Sequence, residues 1–126
     1  MKTAYALFLI LFAFNFSFNS IGQRYYKLKE ARNFPKDSVF YLKVSRKRLK
    51  EIPPEVFTFK NLKGLDLSKN RLKSISSMIT DLSRLEKLNL SKNRFEIFPK
   101  ETIRLKNLRA LILSRNRLGY IPKNIA

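Results

Sequence analysis

Two rows of cations recur at one fixed interval along the chain: Arg48, Arg71, Arg94 and Arg117, and two positions ahead of them Arg46, Lys69, Lys92 and Arg115. If one structural unit separates successive members, each row becomes a line of closely spaced positive charge. Such a line suits phosphate, sulfate or carboxylate groups, which the planar Arg fork can grip through two hydrogen bonds. Duplication of one basic unit would leave the same rows with no ligand behind them, and stacked like charges repel unless salt or a ligand screens them. The whole chain is basic, with 27 Lys+Arg against 9 Asp+Glu and a net charge of +18 in 126 residues. Cations spread this evenly are equally the mark of a solvated basic surface.

Catalytic chemistry lacks its parts. The chain has no His and no Cys, which removes thiol nucleophiles, the usual acid–base partner, disulfides and the commonest soft metal ligands. Three glycines, at 22, 64 and 119, build no phosphate-binding loop. Neither an enzyme nor a cofactor is expected.

The cations are placed by a repeat. Val39, Leu62, Leu85 and Leu108 keep the same interval, as do Leu42, Leu65, Leu88 and Leu111, and then Val44, Leu67, Leu90 and Leu113. Leu49, Leu72, Phe95 and Leu118 follow, and Ile52, Ile75, Phe98 and Ile121 close the shared set. Pro53, Pro99 and Pro122 come next, with Ser76 in the second copy. Repeats two to four read LKGLDLSKNRLKSI, LEKLNLSKNRFEIFP and LRALILSRNRLGYIP. This resembles the LxxLxLxxNxLxxIP pattern of leucine-rich-repeat proteins of the 23-residue class, and short exported bacterial members of that family in particular.

The resemblance implies an α/β solenoid, right-handed, with a short parallel concave sheet, an irregular or short-helical convex side and an N-terminal helical cap. The repeats run 39–61, 62–84, 85–107 and 108–126, the last incomplete, behind a capping segment at 23–38 with a helix over 25–33. Within each LxL the apolar residues turn inward and the residues between them outward, because side chains alternate along a strand. One repeat cannot cover its own apolar edge, so neighbours must stack into a continuous core. Asn70, Asn93 and Asn116 fall at the bend after each strand, where an amide can satisfy backbone groups that the bend leaves unpaired. Repeat one has Lys47 at that place.

The family's concave face is where partners usually bind. On it the register puts Tyr41, Lys43, Asp66, Lys87, Asn89 and Ile112, with Asp66 the single strand carboxylate. Two functions follow: a protein-binding module using that face, with Tyr41 and Ile112 as apolar contacts, or an electrostatic binder of anionic polymers (acidic polysaccharide, lipopolysaccharide or nucleic acid) through the Arg/Lys rows. Sequence-specific reading of nucleic acid is not expected, since no recognition-helix motif is present. A last repeat without its closing Leu also suggests self-association through an uncapped end.

The segment 1–22 reads as a secretory signal peptide. Met1-Lys2 gives a positive start, Ala4 to Phe18 is apolar except for Asn15 and Ser17, and Ser20-Ile21-Gly22 offers small residues for cleavage before Gln23. The apolar run is shorter than the roughly 20 residues that a spanning helix needs. Export to the periplasm, the cell surface or the medium is expected, and the loss of Lys2 would leave a mature charge of +17.

Overall fold

A computed structural model of the chain describes residues 24–119. The expected signal peptide, the cleavage point, Ile121 and Pro122 lie outside the described residues.

Every LxL segment forms one short strand. After β1 (Tyr26–Lys27) come β2 (Tyr41–Lys43), β3 (Gly64–Asp66), β4 (Lys87–Asn89) and β5 (Ala110–Ile112), joined in chain order into one parallel sheet. The pairing is one repeat per strand, with Leu42 opposite Leu65, Leu65 opposite Leu88 and Leu88 opposite Leu111. Like residues therefore stack on like, and the core is a bundle of columns. Leu42, Leu65, Leu67, Leu88 and Leu90 are wholly buried, as are Leu62, Leu85, Leu72, Phe95, Phe59 and Leu82. In repeat four the corresponding Leu108, Leu111, Leu113 and Leu118 are partly buried and pack against that core.

On the convex side the chain returns through single-turn 3-10 helices at Pro54–Thr58, Ser77–Asp81 and Lys100–Arg104. Each is closed by the same bond: Val56 N–H to the Pro53 carbonyl, Ile79 N–H to Ser76 and Thr102 N–H to Pro99, at 2.9 to 3.0 Å. Proline suits the entry because its fixed φ needs no ordering and its missing N–H is not needed there. Ser76 does the same work differently, its hydroxyl accepting from Met78 N–H at 3.2 Å. The third residue of each turn points into the core, and Thr102, the polar one, donates its hydroxyl to the Pro99 carbonyl at 2.7 Å.

The capping segment differs from the expected helix over 25–33. Its helix, α1, is one turn long (Leu28–Ala31), and the residues before it pair as β1 with β2, Tyr26 opposite Leu42 and Lys27 opposite Lys43. The physical reason is the open edge of β2, whose backbone groups need partners, set against the cost of starting so short a helix. Ala31 is fully buried on the first repeat, and Arg32 grips Glu55 of that repeat's convex turn at 2.7 Å.

The asparagines at the bends behave as the family pattern implies. Asn93 donates to the carbonyls of Leu90 in its own repeat (3.0 Å) and Leu67 in the one before (2.9 Å), and accepts from Leu72 N–H at 3.0 Å. Asn70 and Asn116 repeat these bonds one unit to either side. In repeat one, where Lys47 stands in place of the amide, the Lys47 backbone N–H is instead held by Asn70 from the next repeat. Asn93→Ala should lower stability in urea by about 3 kcal/mol, because buried backbone donors and acceptors lose their partner. Asn107→Ala, which removes one exposed bond to the Ser83 carbonyl, should cost less than about 1 kcal/mol.

Candidate binding face and its basic edge

The register brings all six predicted face residues onto one surface in two columns. The first runs Tyr41, Gly64, Lys87, Ala110, and the second Lys27, Lys43, Asp66, Asn89, Ile112. Two of the six are occupied locally. Asp66 accepts from Ser68 N–H at 2.9 Å and Asn89 from Ser91 N–H at 3.0 Å, so these side chains curl onto the bend that follows. Tyr41, Lys43, Lys87 and Ile112 are left as the outward groups.

Tyr25 joins them and was not foreseen, since its sequence context reads as helix. β1 puts Tyr26 against Leu42, which carries Tyr25 over Tyr41, with ring centroids 5.3 Å apart and planes tilted by 59°. Gly64 makes room for this pair: a β-carbon there would sit 2.6 Å from both the Tyr25 hydroxyl and Tyr41 Cδ1. Lys63, Glu86 and Lys87 close the rim of a cavity of about 170 Å³ around the two rings. Burial, followed by the charge of Asp66 and by Tyr41, raises the Tyr25 pKa above the ordinary 10.0. Tyr41 is raised too, by burial and then by Glu86. Both hydroxyls are thus protonated donors at neutral pH.

Beyond the strands lies the basic edge. Arg46, Lys69, Lys92 and Arg115 share one backbone conformation, left-handed with φ of 57°, 58°, 55° and 56°. Their N–H groups continue the interstrand ladder: Arg46 to the Ser68 carbonyl, Lys69 to Ser91 and Lys92 to Ser114, at 2.9 to 3.3 Å. The row therefore advances one strand spacing, roughly 4.8 Å, per repeat. Lys69 registers its neighbours, its pKa lowered first by Arg46, then by Lys92, then by burial and Lys43, with Asp66 opposing. The ion pairs among the described residues, Arg32–Glu55 and Lys60–Asp81, lie elsewhere. In the second row, Arg71, Arg94 and Arg117 bond through their N–H to Leu49, Leu72 and Phe95 one repeat back. Arg48 departs from this, with a left-handed φ of 55° in the repeat that lacks the bend amide.

Gly64→Ala should push Tyr25 off Tyr41 at a stability cost of about 1–2 kcal/mol. A phenol whose folded pKa is raised stabilises the fold below its ordinary value, and that contribution is lost as pH rises through the folded pKa. Absorbance titration above pH 10 should therefore show late-ionising tyrosines in the parent chain, and fewer of them in Gly64→Ala.

Comparison with known proteins agrees with this geometry. A family model described as Leucine rich repeat matches residues 38–95. Among solved structures, the leucine-rich-repeat protein LIC12759 of Leptospira interrogans is 32% identical, with a TM-score of 0.63 over 68% of this chain and 22% of its own. An internalin (inlF) of Listeria monocytogenes is 23% identical, with a TM-score of 0.58 over 75% of this chain and 27% of its own. The leucine-rich repeat domain of APL1B is 20% identical, with a TM-score of 0.56 over 96% and 38%. The latter two speak for the fold alone, and this chain spans well under half the length of all three. No curated protein matches the chain. In its repeat, its sheet and its bend asparagines, the chain folds as a leucine-rich-repeat solenoid, similar to a leucine-rich-repeat protein of bacteria.

Proposed function

We propose that the chain is an exported, non-catalytic recognition module that binds a protein on its concave face. The observation that carries this reading is the Tyr25–Tyr41 pair laid over Gly64. Two rigid rings, each carrying a hydroxyl donor, give a large contact area at small entropic cost, the usual make-up of an interface anchor. At the other end of the face Ile112 supplies an apolar contact, half-buried in its strand. Between them Lys87 stands near Glu86 and Lys43 opposite Asp66, a mixed set that favours a shaped polar partner over a plain polyanion. Leucine-rich-repeat domains commonly serve as protein-binding modules, and the absence of His and Cys agrees with a role without catalysis. Export rests on the apolar segment Ala4 to Phe18 with its small-residue end.

A photo-crosslinking residue at position 41, compared with one at 78 on the convex turn, tests the face directly. The reading expects a partner trapped from 41 and not from 78, with binding little changed between low and moderate salt. Tyr41→Asp should weaken that complex by about 30-fold or more, the scale of an interface hot spot. Equal trapping from both positions, or undiminished binding by Tyr41→Asp, would remove the concave face from the function.

A further inference from the structure

We propose that the strand-end edge formed by Arg46, Lys69, Lys92 and Arg115 is a second site, which binds a linear acidic polysaccharide along the solenoid axis. This stands independently of the concave-face reading. The left-handed conformation at these four positions favours Gly or Asn, and any side chain with a β-carbon pays a steric penalty there. Yet all four hold Arg or Lys. The charges disturb one another, as Lys69 shows against Arg46 and Lys92. Within the described residues none of the four lies in an ion pair. An edge that accepts mutual repulsion lacks its counter-charge, and a bound anion supplies it.

Pitch selects the kind of anion. The rungs are tied to successive strands by the bonds to Ser68, Ser91 and Ser114, so the backbone carries a cation about every 4.8 Å along the row. A glycan with one carboxylate or sulfate per pyranose and successive rings turned over repeats its same-side charge every two sugar rings, close to two rungs, with the intervening charges on its other side. An extended peptide presents same-side groups about every 6.7 Å and falls out of step within four rungs. Duplex DNA winds its phosphates around an axis and away from a straight row. Unpaired bases want an aromatic platform beside the cations, whereas Tyr25 and Tyr41 lie at the opposite end of the strands. The second row, with Arg71, Arg94 and Arg117 at the same interval, widens the edge and can meet charges on the other side of the sugar chain.

The test uses linear oligogalacturonates of two, four and six sugar units with the full chain, over a salt series. Affinity should rise at least about tenfold from the dimer to the tetramer, then little further, because the row has four rungs. It should also fall steeply with salt. Lys69→Asn with Lys92→Asn keeps residues that accept positive φ and should weaken the tetramer about tenfold with an unchanged circular dichroism spectrum. Lys100→Asn with Lys106→Asn removes equal charge from the convex side and should leave affinity within about twofold. Equal losses in both variants, no dependence on length, or tighter binding of an oligoaspartate or a DNA duplex of equal charge would each overturn the proposal.

Discussion

Everything on this molecule's surface depends on the parallel stacking of repeats one strand apart, held by a carboxamide at the bends of repeats two to four. An Asn amide has two donors and an accepting oxygen, and Asn93 uses all three at once across two neighbouring repeats. Asn70 and Asn116 make the same link, and no bend side chain of another type does so in the described residues. Once that link is made, a residue has no freedom to slip against its counterpart, because a shift of one would turn Leu65 or Leu88 outward and expose the core. The columns of the face and of the edge follow from that register.

The same constraint creates the electrical problem of the chain. A solenoid that stacks like on like also stacks cation on cation. The apolar columns bear the cost: Leu, Val, Ile and Phe side chains buried in every inner repeat outweigh repulsion between groups that stay in water. Opposite charges appear where neighbouring segments must be tied, as with Arg32 of the cap on Glu55 and Lys60 on Asp81. Among the described residues the strand-end edge has no such partners, which sets it apart from the convex side.

Much of this was legible in the sequence, for a physical reason. One fixed period, with inward Leu at constant offsets, defines the strands, the face columns and the bend asparagines before any coordinate is known, and each predicted face residue falls in its column. Tyr25 escaped because the cap does not obey the period: β1 pairs with β2 over a shorter step than the repeat, Tyr26 to Leu42. The alternation Tyr25-Tyr26-Lys27 ahead of an open strand edge was the available signal, and the helix-like run that follows obscured it. Glu86 was missed for another reason. It precedes β4, and only the bonding of its backbone to Lys63 brings it beside Tyr41. The left-handed backbone of the basic row, and the departure of Arg48 from its own row, belong to bend geometry that residue type alone does not disclose.

Nuclear magnetic resonance titration of the lysine side chains reads the register most directly. With the repeats stacked as described, the Lys69 ammonium loses its proton below the ordinary value of 10.5, driven by Arg46 and Lys92. Replacing Arg46 and Lys92 with Asn should move that titration upward, because removing like charge restores the protonated form. A Lys69 that titrates at the ordinary value and does not respond to its neighbours would contradict the close stacking of the basic row.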